Sequence, residues 1–212
     1  AYRAQRRGGK GRSGMSTRDE DALTNVFVAS THTPVLFFST FGQVYRLKVW
    51  KLPEGGPQAR GRPLSNMLPL AQGETISTIL PLPENEEEWG DLNVVFATAK
   101  GNVRRNSMAD FTNVPSNGKI AIRFEEGSED RLIGVTLCGE SDDIFLASHG
   151  GKSIRFKVSD LRVFKGRKST GVRGMKLGSG DEVMSLAVLL GQSSANMTRE
   201  DRDNYLKAAP WK

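Results

Sequence analysis

Apolar and polar residues alternate over several short stretches of this chain. In KSIRFKV, residues 152–158, the apolar side chains Ile154, Phe156 and Val158 are separated by polar ones. A strand places alternate side chains on opposite faces, whereas a helix would mix both classes on each face. The pattern therefore predicts a β-strand with one packed face.

The alternating stretches belong to a repeat of three blocks. The first block is an apolar run, a glycine and a second run, with an arginine four residues after the glycine. Its copies are FFSTFGQVYRLKVW, FATAKGNVRRNSMADF and FLASHGGKSIRFKVSDL, which begin at Phe37, Phe96 and Phe145. The second block begins at Gly61, Gly118 and Gly171, and the third begins at Glu74, Asp130 and Asp181.

The repeat predicts the fold class. Its first block indicates a β-hairpin in which Gly42, Gly101 or Gly151 supplies the positive φ angle of the turn. Repeats of about four short strands are typical of propeller-like blades, because one small sheet cannot bury both faces until neighbours stack against it. The predicted class is all-β, a β-pinwheel or propeller-like array of about three four-stranded blades over residues 19–192.

The two ends of the chain depart from the repeat. Residues 1–18 contain no acid and form a basic arm, whose cations are Arg3, Arg6, Arg7, Lys10, Arg12 and Arg18. Residues 193–212 match no blade and are interpreted as a helical insertion or tail. Within them, Thr198 and Asp201 form a capping box, which predicts a short helix over 199–209 that Pro210 ends.

Charge and cysteine content narrow the class of protein. Thirty Lys and Arg against 24 Asp and Glu leave a net charge of +6, which is compatible with a polyanionic partner. Residues 84–91 and 125–130 concentrate the negative charge, and Glu86, Glu87 and Glu88 within the first of these runs are predicted to lie in a solvated loop. Cys138 is the only cysteine, lies in an apolar run and is predicted to be core, in a reducing, cytoplasmic protein.

The sequence predicts neither a membrane-spanning helix nor an N-terminal signal peptide. The chain has no apolar stretch of bilayer length, and its first residues are too polar for a signal peptide. It begins at Ala1 rather than Met, which we interpret as a fragment of a longer protein.

Catalytic chemistry finds little support in the sequence. His32 and His149 lie near predicted strand ends without a Cys, Asp or Glu at metal-ligand or relay spacing, and are interpreted as turn residues. HGGKS at His149–Ser153 ends like a phosphate-binding P-loop, but Leu146 stands where that motif requires its first glycine. The chain is therefore predicted to be non-catalytic, with no metal and no cofactor of its own.

Cations recur in register across the repeats. Arg46 with Lys48, and Arg155 with Lys157, project to the same side of a hairpin strand, whereas the adjacent Arg104 and Arg105 should diverge. Arg105 occupies the same offset as Arg46 and Arg155. Further cations surround the second blocks, namely Arg60, Arg62, Lys119, Arg123, Arg167, Lys168 and Arg173.

Two interpretations of these cations are open. Lys and Arg on edge strands protect a sheet against aggregation, which would be their whole role. Alternatively, equivalent positions on successive blades form a curved positive rim that suits the backbone of duplex DNA, with salt-dependent affinity and with preference set by ease of bending. Two other functions compete with DNA binding: a propeller-type protein-interaction module with the arm as linker, and an enzyme with its site in a blade channel.

The arm and the repeats together resemble the C-terminal domain of DNA gyrase A. The heptapeptide QRRGGKG is similar at all seven positions to that family's signature box, and VFVASTHTPVLFFSTFGQVYRLKVWKLP and ARGRPLSNMLPL follow it. The residues of this box are Gln5, Arg6, Arg7, Gly8, Gly9, Lys10 and Gly11. The resemblance covers residues 5–192.

This resemblance implies a β-pinwheel whose basic perimeter wraps double-stranded DNA with positive handedness. It implies that the box makes the wrap productive for negative supercoiling, by a bacterial holoenzyme that contains gyrase B and the N-terminal part of gyrase A. The ATP and Mg²⁺ of the full enzyme would be used outside this chain. Members of the family usually have more blades than three, so the last blade is expected to have an exposed or borrowed edge.

Overall fold

The computed structural model describes residues 7–9, 24–56, 59–191 and Asn204. Most of the arm and of the tail, and with them most of the box and of the helix predicted over 199–209, lie outside the described residues. Asn204 itself is helical.

The described chain is built from short strands and short 3-10 helices. The strands are β1 (Pro34–Ser39), β2 (Gln43–Lys48), β3 (Ile76–Pro81), β4 (Asn93–Thr98), β5 (Asn102–Ser107), β6 (Lys119–Ile120), β7 (Leu132–Cys138), β8 (Asp143–Ser148), β9 (Ser153–Lys157), β10 (Val172–Arg173) and β11 (Val183–Leu189). The 3-10 helices span Val49–Lys51, Leu64–Asn66, Glu86–Asp91, Met108–Phe111 and Val158–Asp160. None of the helices in the described ranges is long and apolar enough to cross a membrane.

The strands form three antiparallel sheets, which confirms the all-β prediction. The strand orders are β3-β1-β2-β6, β10-β5-β4-β7 and β11-β8-β9. The predicted hairpins are β1–β2, β4–β5 and β8–β9, and their register pairs Leu36 with Arg46, Phe96 with Arg104 and Phe145 with Arg155. We call the sheets blades one, two and three in chain order.

The fourth strand of a blade comes from the following repeat. In blade one β2 pairs with β6, which belongs to the second repeat, and in blade two β5 pairs with β10, which belongs to the third. Blade three has three strands in the described part of the chain. Each four-stranded blade is therefore shared between two repeats, and among the described residues the expected exposed edge lies at β9.

The turn glycines explain how the donated strand can approach. Gly42, Gly101 and Gly151 have φ angles of 80°, 85° and 81°, which confirms the predicted left-handed turn position. The carbonyl oxygen of Gly101 also accepts hydrogen bonds from the amides of Gly174 and Met175, just after β10. A Cβ atom on Gly101 would lie 2.7 Å from the Met175 oxygen, whereas one on Gly151 would have no neighbour within 4 Å.

The edge of each blade that lies opposite the position of the donated strand faces the neighbouring blades. Strands β3, β7 and β11 lie side by side, and the amide of Val135 in β7 donates to the Thr78 hydroxyl in β3 at 3.1 Å. They are therefore the inner strands of the array. The donated strands β6 and β10 lie at the outer edge of their sheets, which we call the perimeter.

The core lies between stacked blades. Phe38 of blade one contacts Phe96 and Phe111 of the second repeat, with ring centroids 5.6 and 5.9 Å apart. A second cluster, which includes Val103 and Leu146, fills the space between blades two and three. Strand β1 is buried on both faces, as expected for a small sheet with packing on each side.

Three further segments of the sequence have distinct local environments in the structure. The segment 61–70, the second block of the first repeat, contains the 3-10 helix at Leu64–Asn66. Glu86, Glu87 and Glu88 are exposed as predicted, but they lie in a 3-10 helix that also contains the fully buried Trp89. Cys138 is buried as predicted, and this burial raises the pKa of its thiol to about 11.

Candidate nucleic-acid interface

The candidate interface is the perimeter, where each donated strand arrives with flanking cations. Lys119 begins β6, Arg123 follows it, and Arg173 ends β10. Both strands are too short to be fixed by apolar burial alone, and glycines precede them. Gly118 and Gly171 have φ angles of 86° and 97° and lie against Tyr45 and Val103.

Several predicted cations are exposed, and all but Arg60 and Arg62, which lie in the segment between β2 and β3, are on or next to the outer two strands of a blade. Their side chains make no hydrogen bond or ion pair with another described residue, so their charge is available to a partner. These residues are Lys48, Arg60, Arg62, Arg123, Lys157, Lys168 and Arg173.

Arg46, the in-register arginine of blade one, differs from these exposed cations because its guanidinium is bound by other residues of the chain. Arg46 donates to the carbonyl oxygen of Thr112 at 2.6 Å and forms an ion pair with Glu86. Its guanidinium also lies 5.3 Å from the ring centroid of buried Trp89. Thr112 ends the 3-10 helix after the next hairpin, so Arg46 joins blade one to the second repeat.

Arg105 joins blade two to the third repeat in the same way, and its guanidinium is occupied by protein partners. It donates to the Val158 and Leu161 carbonyl oxygens at 3.2 and 3.3 Å and forms an ion pair with Glu140. This bond holds the pKa of Glu140 below its ordinary value. Arg105 is only 4% exposed, so its prediction as a DNA contact is corrected: burial keeps its guanidinium from a phosphate.

Arg155 occupies the equivalent place in blade three. Its guanidinium forms an ion pair with Asp143 of the same hairpin, and its side chain remains 53% exposed. The in-register arginines therefore join successive repeats where a following repeat is present. They are not a continuous outward track.

The neighbouring Arg104 was not identified from the sequence as a structural residue. As predicted it diverges from Arg105, but it is fully buried, with its guanidinium 4.8 Å from the Phe96 ring centroid. Burial lowers the pKa of Arg104 to about 10, an effect that nearby Asp110 partly offsets, so Arg104 stays charged at neutral pH. A polar residue in the apolar face of a hairpin, opposite Phe96, is the signal that could have found it.

The corresponding position in blade one holds a tyrosine. The Tyr45 hydroxyl donates to the buried Glu74 carboxylate at 3.1 Å. Burial, and then the charge of Glu74, raise the pKa of Tyr45 to about 12. Equivalent positions in two blades therefore hold different buried polar groups.

Two predicted cations at the perimeter are held in place by hydrogen bonds to backbone carbonyl oxygens. Lys119 donates to the carbonyl oxygens of Asp110 and Asn113 at 2.9 and 2.8 Å. Arg167 donates to the same Asp110 oxygen at 3.2 Å. Both are half-buried and contribute positive charge from fixed positions.

The arm is described only at its centre. Arg7, Gly8 and Gly9 are exposed, and Gly8 has a φ angle of 91° in a turn. The other members of the predicted box, Gln5, Arg6, Lys10 and Gly11, lie outside the described residues.

The residues considered for catalysis lie in exposed turns. His32 precedes β1, and His149 lies at the tip of the β8–β9 hairpin, so HGGKS does not form the strand-to-helix turn of a P-loop. Among the described residues, no group of three His, Cys, Asp or Glu is arranged to hold a metal ion.

Comparison with known proteins identifies the fold family. The model of the family described as DNA gyrase C-terminal domain, beta-propeller, matches residues 1–30, 33–83, 92–138 and 142–189. The chain belongs to the DNA gyrase C-terminal domain family. The last three matched stretches each run from the first strand of a hairpin to the inner strand of its blade. The first stretch covers the arm and residues 24–30, which lie outside the strands.

Relatives in this family are considerably longer than the chain. DNA gyrase A of Rickettsia felis is 58% identical over 211 residues, which are 100% of this chain and 23% of that protein. DNA gyrase A of Escherichia coli K12 is 46% identical over 193 residues, or 91% of this chain and 21% of that protein. The chain therefore spans less than a quarter of these relatives.

Solved structures agree with the family's fold. The C-terminal domain of DNA topoisomerase IV superposes with a TM-score of 0.72 at 22% identity, covering 83% of this chain and 53% of that one. The DNA gyrase A C-terminal domain gives a TM-score of 0.61 at 23% identity, with coverages of 88% and 58%. These likenesses confirm the predicted β-pinwheel or propeller-like fold.

Proposed function

We propose that the chain binds duplex DNA along its perimeter and wraps it, so that a gyrase holoenzyme can introduce negative supercoils. The observation that carries this proposal is the perimeter itself. Strands donated by the following repeat form the outer edge of blades one and two, and exposed cations such as Arg123 and Arg173 lie on or beside them. Family membership supports the same function.

The cost of bending explains why the contacts are spread over blades. Bending 20–30 base pairs by 40–90° costs about 1–6 kcal/mol. A single cation contact with a phosphate cannot offset that cost, whereas contacts repeated along a curved edge add up. Because the perimeter offers no helix to the major groove in the described ranges, the proposed binding depends on the backbone and on deformability rather than on base readout.

The roles of the rest of the holoenzyme follow from the proposal. DNA cleavage and ATP hydrolysis belong to the N-terminal part of gyrase A and to gyrase B, which use Mg²⁺ and ATP. This chain contributes no catalytic residue, and its role in the cytoplasm of the bacterial cell is to present a chirally bent segment of DNA.

The test is a topological assay on the 212-residue chain. Nicked circular DNA is ligated in the presence of increasing amounts of protein, the protein is removed, and the topoisomers are separated on a gel. We expect a shift towards positive linking difference, because a right-handed wrap is trapped on ligation. Salt-sensitive binding in the same tubes without a shift would show that the chain binds DNA but does not wrap it.

A further inference from the structure

The loop at residues 164–170, FKGRKST, is held by buried side chains in a way that the strand topology does not require. It follows the third hairpin and leads into β10, so it lies at the perimeter beside blade two. It contains Lys165, Arg167 and Lys168 and no acidic residue.

Two buried side chains of β5 hold the carbonyl groups of this loop. Arg104 donates from Nη1 to the carbonyl oxygens of Arg167 and Ser169, at 3.1 and 2.6 Å. Asn106 donates from Nδ2 to those of Phe164 and Gly166, at 2.9 and 3.3 Å. Both side chains are fully buried. Four carbonyl oxygens of the loop thus point inward, towards blade two.

The direction of these carbonyls fixes the direction of the amides. In a planar trans peptide the C=O of one residue and the N–H of the next point in opposite directions, and the described chain has no cis peptide bond. The amides that follow the four held carbonyls therefore point outward, and they belong to Lys165, Arg167, Lys168 and Thr170. None of the four donates to an acceptor elsewhere in the described chain.

The side chains add charge to the outward amides. Lys165, Lys168 and Ser169 are exposed, while the Arg167 guanidinium turns back to the Asp110 carbonyl oxygen. The carboxylate of Asp110 accepts a hydrogen bond from Asn106 at 3.0 Å and so is itself engaged. Backbone N–H groups without a protein acceptor, flanked by ammonium groups, can bind a phosphate.

We propose that Lys165–Thr170 is a preformed phosphate-binding loop for the DNA backbone, held in its binding conformation by Arg104 and Asn106. This inference rests on the proposed function. It names one site on the perimeter and the chemistry of the partner there, a phosphodiester. The roles of Arg104 and Asn106 are positioning ones, because neither reaches the surface.

Blade one provides an internal comparison. Its equivalent loop, residues 112–118, is TNVPSNG and carries no charged side chain. The position of Arg104 is taken by Tyr45, whose hydroxyl is directed to Glu74 rather than into that loop. The phosphate-binding arrangement is therefore particular to the loop beside blade two.

Amide hydrogen exchange of the 212-residue chain, resolved by NMR, tests the site directly. We expect duplex DNA to slow exchange at Lys165, Arg167, Lys168 and Thr170, and to leave residues 112–118 unchanged. Inorganic phosphate, titrated separately, distinguishes the two sources of the same ligand chemistry. Protection by DNA in phosphate-free buffer supports the assignment, whereas protection by inorganic phosphate alone overturns the assignment to DNA.

Substitutions separate the loop from general charge. We expect the double variant Lys165→Gln with Lys168→Gln to flatten the dependence of log K on log salt by about one to two units, since each phosphate contact contributes about 0.9. The matched control is Lys100→Gln with Lys152→Gln, which removes the same charge from two exposed hairpin tips and should leave the slope unchanged. Equal effects of the two double variants would overturn the proposal.

A third variant addresses the positioning role. Arg104→Lys keeps the positive charge but cannot reach all the acceptors that Arg104 binds, so we expect it to abolish the DNA protection of the loop amides. If the variant unfolds, the lysine pair still decides whether the loop binds DNA, because Lys165 and Lys168 are exposed and their substitution should leave the fold intact.

The outcomes also separate this proposal from the proposed function. A wild-type chain that shifts the linking difference while its loop amides stay unprotected would overturn the loop alone. A chain that binds no duplex DNA would overturn both.

Discussion

Arg105 and Arg123 are arginines of the same repeat, but only the Arg123 guanidinium is accessible to a phosphate. Arg105 is buried, with its guanidinium bound to carbonyl oxygens and to Glu140. Arg123 is exposed, and its side chain has no partner in the described part of the chain. Burial, not residue type, decides which of the two can contact DNA.

This difference gives a matched pair of substitutions. We expect Arg105→Gln to lower the free energy of unfolding by about 1–3 kcal/mol, because the buried carbonyl oxygens that Arg105 binds lose their donor. Arg123→Gln should change it by less than about 0.5 kcal/mol and instead flatten the salt dependence of DNA binding by about 0.9.

Urea unfolding and fluorescence anisotropy with a duplex measure the two effects. A stable Arg105→Gln protein with weakened DNA binding would show that Arg105 reaches the DNA after all. That result would return Arg105 to the DNA-binding residues expected from the repeat.

The sequence could not reveal this burial. Arg46, Arg105 and Arg155 share one offset in the repeat, and from sequence a repeated cation on the polar side of a strand is indistinguishable from a surface track. What makes it internal is the following repeat, whose 3-10 helix covers it.

At the scale of the elements, the turn glycines show the limit of local reasoning. The positive φ angle of Gly101 and Gly151 was predictable, since a tight hairpin requires it. The close approach of Met175 to Gly101 was not, because it depends on a segment that belongs to the next repeat.

The glycines give a second matched pair. Alanine at Gly151 should cost about 1–2 kcal/mol, the strain of the left-handed region alone. Alanine at Gly101 should cost about 2–5 kcal/mol, because the new Cβ also collides with the Met175 oxygen. Urea unfolding of the two variants measures the difference, and equal losses would mean that the donated segment moves away without cost.

Most of the hairpins and inner strands could be predicted from alternation and glycine position. The partner of the fourth strand could not. Strand β6 contains only Lys119 and Ile120, too few residues to carry a register of its own. Its pairing with β2 is set by the hydrogen bonds of Ala121 and Ile122 to Gly42 and by the packing of Gly118 on Tyr45.

At the scale of the whole molecule, the perimeter and the arm are expected to act at different steps. In the proposed function the perimeter binds DNA, whereas the arm, by the resemblance of its box, makes the bound segment productive. Of the box, the described residues Arg7, Gly8 and Gly9 are exposed and pack in no core.

A triple alanine variant at Arg6, Arg7 and Lys10 separates these steps. We expect the assembled gyrase to lose most of its ATP-dependent negative supercoiling while it still relaxes DNA and its blades still fold. A gel assay of supercoiling and relaxation, with circular dichroism of the chain as the control, checks this. Unimpaired supercoiling would remove the box from the mechanism.

Strand donation also has a mechanical consequence. A stiff duplex held in a bend pulls outward on the edge that binds it, and in blade two that edge is β10, which is covalently part of the third repeat. If DNA is wrapped as proposed, its elastic recoil is therefore shared between two repeats, because it loads both the β5–β10 ladder and the chain that connects β10 to the rest of the third repeat. Peeling blade two open would require moving the third repeat as well, so strand donation would let the array resist the tension of a wrapped duplex.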